Sequence, residues 1–338
     1  MAANNANADF SILDDRIMEA ISAKALMTAV DMGLFDRTEG RTMTVEELAR
    51  EMGLVETRLE SFLDVLAALG VLHEKAGRYA NTPLASKYLV STAPLYQGDY
   101  LALTSGFAAS IEDSIAELLA GGEADRDGSD RKWSVERTME GIAQSARLGG
   151  VSAVADVAVA LPGFDDFRAM CDIGGNHGLY TLGVLERNAA LCGVIYDLPV
   201  VAGQARKHCA QYGYGDRLEV EGLDLRDGTL PEARYDLAVA SHILYAFKDD
   251  LTGVLGKIAH GLKPGGWFVS HHYHEQCAPG GELRKASLEL VTRLAGYASH
   301  CIGREELREA LASAGFGEPK FSPVPGREMG LIAAARKR

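Results

Sequence analysis

The stretch Met170-Cys171-Asp172-Ile173-Gly174-Gly175-Asn176-His177-Gly178-Leu179-Tyr180-Thr181 reads as a buried strand that breaks into a glycine-rich turn and then opens a helix. Glycines let a backbone come close to a ligand, and a helix start points N–H groups at it. A second apolar run, Gly193-Val194-Ile195-Tyr196, ends in Asp197, nineteen positions after Gly178, and a third ends ahead of Asp224. An acid at the end of the second strand of such a unit suits the paired hydroxyls of a ribose. The spacing therefore predicts an adenosine-bearing cofactor in the second half of the chain.

The other concentrated signal is Ser270-His271-His272-Tyr273-His274-Glu275 at the end of a fifth apolar run. Ligands in open α/β folds bind beyond the carboxyl ends of strands, so these histidines fall where chemistry is done. Strand alternation puts His272 and His274 on one face and His271 on the other. Three functional readings stand beside ordinary polar packing. They are a general base, a cation for an acceptor carboxylate, and part of a metal site with His300. A metal needs three or four converging ligands. Spacing alone shows no such set, and no metal is expected.

These residues need elements to hold them. The chain has 338 residues, 47% of them apolar, enough for two domains with a sizeable core. Residues 12 to 35 place Ile17, Ala20, Ile21, Ala25, Met27 and Val30 at helical spacing. Thr44-Val45-Glu46-Glu47 forms a capping box ahead of a short helix stopped by Gly53, and Thr57 is placed to cap the next. Val71 to Glu74 and Arg78 to Asn81 then read as two short strands around Gly77, which completes a winged-helix pattern. Residues 83 to 120 read as further helices, 121 to 132 as an exposed Gly-rich loop, and 133 to 161 as a connecting helix. From 170 onward strands and helices alternate, which implies a mainly parallel sheet, with an antiparallel hairpin from Glu318–Phe321 and Gly330–Ala335 at its edge.

Composition narrows the partners. A net charge of −13 with no basic run argues against nucleic acid and anionic membrane surfaces. The second of the paired helices, Arg58-Leu59-Glu60-Ser61-Phe62-Leu63-Asp64, lacks the basic face of a DNA reader. Five cysteines without CxxC spacing fit a reducing compartment, and neither a secretory signal nor a run of about 18 apolar residues is visible, so a cytoplasmic location is expected.

With these pieces in place the chain resembles the small-molecule O-methyltransferases of the plant-type class, which has many bacterial members. The resemblance rests on Gly70-Val71-Leu72, Tyr79-Ala80-Asn81-Thr82-Pro83-Leu84-Ala85, Asp172-Ile173-Gly174-Gly175, Asp197-Leu198-Pro199 and Leu262-Lys263-Pro264-Gly265-Gly266, in that order. It implies an α/β fold: a Rossmann-like methyltransferase domain with a mainly parallel seven-stranded sheet, preceded by an α-helical winged-helix dimerisation domain. The division expected is 1–120 and 121–338. It implies a homodimer, formed through the first domain, that acts on a small-molecule acceptor. The cofactor implied is S-adenosylmethionine, leaving as S-adenosylhomocysteine. Asp172, Gly174, Gly175, Asn176 and Gly178 would then shape its methionine end. Asp197 and Leu198 would hold the ribose, Asp224 and Leu225 would flank the adenine, and Ser241 would lie close by.

The chain departs from the family pattern twice. Asn176 replaces the middle glycine of the loop, although Asn tolerates left-handed backbone. The family's Leu-His-Asp-Trp-like stretch, whose His is the general base, reads here Ser241-His242-Ile243-Leu244-Tyr245-Ala246-Phe247, with Tyr245 in the place of the base. Tyrosine, with a pKa near 10, is a poor base at neutral pH. Base-free S-methylation of a thioether acid such as 4-methylthio-2-hydroxybutyrate is one reading. Conventional O-methylation of a phenolic metabolite with a relocated His base is a second. A SAM-binding enzyme that transfers no methyl is a third. The candidate catalytic residues are Tyr245, His242, His272 and His274; the candidate acceptor contacts are Arg147, Tyr180, Tyr245, His271 and His300.

Overall fold

A computed structural model describes residues 10–111, 114–277 and 279–338. The chain divides into two compact units, residues 1–102 and 103–338. Helix Ile115–Leu119, inside the expected 1–120 domain, groups with the second of these units.

In the first unit the long helix Ser11–Asp31 is followed by helices Leu34–Thr38, Val45–Met52 and Glu56–Ala68. Strands β1 (Met43–Thr44), β2 (Leu72–Lys75) and β3 (Arg78–Asn81) pair antiparallel in the order β1-β3-β2, giving the expected wing. The Thr44 hydroxyl accepts from the Glu47 N–H while Glu47 takes the Thr44 N–H, so both orphan donors are satisfied. Gly53 ends that helix at φ 68°. Thr57 does not cap the next helix, which starts at Glu56 with Val55 as its N-cap, so that Thr57 lies inside its first turn. Leu34, Phe35, Leu48, Leu63 and Leu66 fill this unit's core.

The second unit is built on a seven-stranded sheet. Its strands are β4 (Ala169–Ile173), β5 (Cys192–Asp197), β6 (Leu218–Gly222), β7 (Tyr235–Ser241), β8 (Leu262–Tyr273), β9 (Lys320–Val324) and β10 (Arg327–Arg336). The order is β6-β5-β4-β7-β8-β10-β9. The four pairings from β6 to β8 are parallel, and the β9–β10 hairpin is antiparallel. The order reverses direction between β4 and β7, which is where an open sheet parts its covering helices and admits a ligand. Central strands buried on both faces explain the near-continuous apolar runs, such as Leu237-Ala238-Val239-Ala240.

Two elements differ from expectation. The polar stretch expected as a loop contains a helix, Arg126–Lys132, whose start is capped by the Asp125 carboxylate accepting from the Gly128 N–H at 2.7 Å. The single connecting helix is two, Glu136–Ala146 and Gly150–Val159, broken where Gly149 turns left-handed at φ 110°. Among the described residues no helix is long and apolar enough to cross a membrane.

Candidate active site

The glycine loop takes its shape from contacts that leave no room for side chains. Gly174 sits at φ +65°, and a Cβ there would lie 2.7 Å from Ile243. Gly178, at φ +76°, would meet the Cys209 sulfur at 2.5 Å. Asn176 holds the left-handed conformation the departure required, at φ 41°, and its side-chain amide donates to the Trp133 carbonyl at 3.2 Å. The loop therefore survives the loss of its middle glycine.

Asp197 ends β5 and ties the loop to the sheet. One oxygen accepts the Asn176 N–H at 2.9 Å and the other the Leu198 N–H at 2.8 Å. Burial nevertheless pushes its carboxyl up to about 6. Asp172 is buried more deeply, bonds the Thr181 hydroxyl at 2.7 Å, and is pushed up to about 7 by burial. A pocket opens beside these acids, lined by Ile173, Gly174, Asp197, Leu198, Asp224 and Leu225, with Arg126 and Tyr297 also contributing. The structure thus brings Asp197, Asp224 and Gly174 to one pocket, whereas Asp172, Gly175, Asn176 and Gly178 are not among its lining residues.

The fit to a nucleoside cofactor can be tested on polar atoms that the fold leaves over. Asp172 Oδ1, Asn176 Oδ1, Ser241 Oγ and Arg126 Nε are buried with no hydrogen-bond partner among the described residues. Such groups are destabilising unless something pairs with them. Acceptors and donors at the ends of β4 and β7 and beside the pocket suit the hydroxyls, amine and ring nitrogens of such a cofactor. Asp224 lines the pocket as expected, but its carboxylate is already bonded by Arg226, through Nε at 2.9 Å and Nη2 at 2.7 Å. Sequence reasoning missed Arg126, Asp130 and Arg226, whereas Tyr297 was among the aromatic residues it offered for the sulfonium; a basic residue two positions after Asp224 was the available signal for Arg226.

The histidines separate into different roles. His242 follows β7 at φ 54°, its N–H donating to the His271 carbonyl at 2.6 Å. Its ring lies 4.2 Å from that of His271 and 4.6 Å from that of Tyr273, between centroids. Tyr180 packs edge-on to His271 at 5.6 Å. His300, which comes from a different part of the chain, stacks on Tyr245 at 4.4 Å with the planes 13° apart, and Tyr273 lies 5.3 Å away. The Thr292 hydroxyl is 3.1 Å from His300 Nδ1. Burial pulls His300 down to about 4, so its imidazole is neutral at neutral pH. Burial also raises the pKa of the Tyr245 phenol, so it is no base.

Three of the expected residues lie outside the lining of the cofactor pocket. His272 is 2% exposed, its Nδ1 is 3.2 Å from the Ser270 hydroxyl, its Nε2 is buried with no hydrogen-bond partner among the described residues, and burial pulls it down to about 3. His274 lies past the end of β8, and its Nδ1 accepts the Gln276 N–H at 3.1 Å, capping the backbone as the strand ends. Arg147 pairs with Glu140 at 2.7 Å and the Tyr212 hydroxyl at 2.9 Å. Among the described residues no group of His, Cys, Asp and Glu is arranged to hold a metal ion.

Known proteins give the same division of labour. Residues 16–91 match the O-methyltransferase dimerisation domain, and residues 129–317 the O-methyltransferase domain. The tetracenomycin polyketide synthesis 8-O-methyl transferase TcmO of Streptomyces glaucescens is 26% identical over 95% of this chain and 94% of its own length. The N,N-dimethyltransferase OxyT of Streptomyces rimosus is 29% identical over 66% of each. Human N-acetylserotonin methyltransferase, solved in complex with SAM, superimposes with a TM-score of 0.80 at 21% identity, covering 100% of this chain and 99% of its own.

Proposed function

We propose, from the premise that this chain belongs to the O-methyltransferase family, that it moves a methyl group from S-adenosylmethionine to a phenolic hydroxyl of a small metabolite, with His300 as the base. The observation that carries the assignment of the base is the flat stack of His300 on Tyr245, the residue that the resemblance sets in the place of the family base. S-adenosylmethionine supplies an electrophilic methyl on a sulfonium, which the acceptor oxygen takes as the carbon–sulfur bond breaks, leaving S-adenosylhomocysteine.

The chain's own residues have three tasks. Asp197 and Leu198 hold the ribose, and the glycine loop with Ser241 takes the methionine end. The packed rings of Tyr180, His242, His271 and Tyr273 lie next to the His300–Tyr245 stack and brace it, and holding reactants in line accounts for much of the rate in such displacements. His300, neutral and oriented by Thr292, accepts the hydroxyl proton as the oxygen is methylated. A phenol suits this neutral, aromatic site, and TcmO is named for O-methylation in polyketide synthesis. A thioether acid would need a cation for its carboxylate, and Arg147 is committed elsewhere.

The test is mass-resolved product formation, with S-adenosylhomocysteine release, across phenols, amines and thioether acids. Phenols should gain one methyl. His300→Ala should lower kcat by about 10²–10⁴ with little change in the KM for S-adenosylmethionine, and added imidazole should restore part of it. The acid limb of the wild-type kcat profile, set near 4, should vanish with the substitution. Methylation of thioether acids alone, or full activity in His300→Ala, would sink this reading.

A further inference from the structure

The helix Arg126–Lys132 was expected as solvated loop, yet it contributes Arg126 and Asp130 to the lining of the cofactor pocket. Asp130 is only 14% exposed at its side chain and bonds in two directions. One oxygen pairs with Arg226 Nη2 at 2.9 Å, and the other accepts from the Tyr297 hydroxyl at 3.2 Å. Arg226 is itself fixed by Asp224. Three segments distant in sequence therefore meet on one carboxylate at the pocket's edge.

A second set of contacts reinforces the first. The Arg126 guanidinium lies over the Tyr297 ring at 4.7 Å from its centroid. Gly296, at φ +87°, permits this approach, since a Cβ there would sit 3.0 Å from both Ala124 and the Arg126 side chain. Arg126 Nε is buried beside the pocket without a partner among the described residues. A buried guanidinium N–H is destabilising unless it meets an acceptor. An adenosine offers such acceptors in its ring nitrogens and ribose oxygens and carries no charge that would compete with Arg226 for Asp130. Tyr297 also packs edge-on against Tyr245 at 5.2 Å, so the same ring borders the stack that holds the proposed base.

We propose that helix Arg126–Lys132 is a clasp on the adenosine end of the cofactor, held shut by Asp130, Arg226 and Tyr297, with Arg126 Nε donating to the bound nucleoside. The clasp sets how long S-adenosylhomocysteine stays after transfer. This rests on the adenosine occupying the pocket beside Asp197. Among variants of one contact, most of the difference in affinity falls in the rate of release.

The experiment is stopped-flow dissociation and calorimetric binding of S-adenosylhomocysteine to the full chain. Asp130→Asn and Arg226→Gln should each speed release about tenfold with a smaller change in association rate. The double variant should add little to either single one, because both break the same pair. Tyr297→Phe, which removes only the hydroxyl, should speed release less. Arg126→Met keeps the stem and should weaken equilibrium binding by about tenfold. Melting of the ligand-free variants separates lost folding from lost retention. Wild-type release rates in folded Asp130→Asn and Arg226→Gln overturn the clasp. Asp197→Ala is the control on the pocket: if it leaves binding untouched, the pocket assignment fails and the clasp with it. If Asp197→Ala weakens binding while the clasp variants do not, the clasp alone is wrong.

Discussion

Asp197 shows how one residue can be read correctly for its place and still hold a surprise in its chemistry. Its position at the end of β5 was legible from an apolar run closed by an acid. Its titration was not, because burial depends on what packs around it. The carboxyl sits at about 6 in the fold, against about 3.9 for an ordinary aspartate. The folded chain therefore binds more protons than the unfolded one between those values, and its stability without ligand falls as pH rises through that window. Ribose hydroxyls donate, so they favour the ionised form. Binding of S-adenosylhomocysteine should weaken as pH drops below about 6, approaching tenfold per unit, and the Tm gain on adding it should be larger at neutral pH than in mild acid. Asp197→Asn should flatten that profile; an unchanged slope would assign the titration to another group, Asp172 first.

The proposed base illustrates the opposite case. Tyr245 was visible in the sequence as an intruder in a known motif. His300 was visible as an acceptor contact but not as the base, because the stack that joins it to Tyr245 depends on how the segment after helix Glu282–Leu294 returns to the sheet. For the same reason His272 and His274 looked alike by spacing. Ser270 and the end of β8 separate them: His272 Nδ1 meets the Ser270 hydroxyl, and His274 Nδ1 accepts the Gln276 N–H.

At the scale of elements, what sequence disclosed best were runs with strong periodicity or strong punctuation. The strands of the parallel sheet, the wing and the Thr44 capping box all fall close to where residue types placed them. What it missed were elements whose local signal is weak. Arg126–Lys132 contains a glycine and three acids or bases in succession, and its helix exists because Asp125 caps it and Asp130 finds Arg226. The glycine loop offers a direct test of which feature holds its shape. Gly178→Ala forces a side chain onto φ +76° and against Cys209. It should destabilise the fold by about 1–3 kcal/mol, seen as a Tm lower by several degrees, and should remove most cofactor affinity in calorimetry. Asn176→Gly relieves a positive φ and gives up one bond to Trp133, so its stability should stay within about 1 kcal/mol of wild type. If Asn176→Gly proved the more damaging, the Asn side chain rather than the backbone turn would be what organises the loop.

At the scale of the whole molecule, the division into two units bears on how the protein works as an assembly. The glycine loop, the proposed base and the clasp all lie within residues 103–338. The dimerisation domain match lies in the other unit, and there the long first helix carries an unusual apolar load: Phe10, Ile12, Leu13, Ile17, Met18 and Ile21 are each more than half exposed. Contiguous exposed apolar surface on one helix is a mark of an interface rather than of a solvated face. The residues also explain why the periodicity of this segment was legible while its partner was not: Ala25, Ala29 and Val30, in the second half of the helix, are buried within the chain, whereas the first half is not. A homodimer built on that half should run at about twice the 36.2 kDa chain mass in light scattering. Ile17→Glu with Ile21→Glu places two charges in its centre, and buried unpaired charge at an interface is strongly unfavourable, so the double variant should run as a monomer at micromolar concentration. Its melting should stay cooperative, because neither side chain belongs to the unit's own core. Its affinity for S-adenosylhomocysteine should stay within about threefold of wild type, since a group that touches neither the loop nor the clasp usually contributes within about 0.5 kcal/mol. A variant that remains dimeric would move the interface off the first helix, and one that dissociates and also loses the cofactor would make the two units a single functional body.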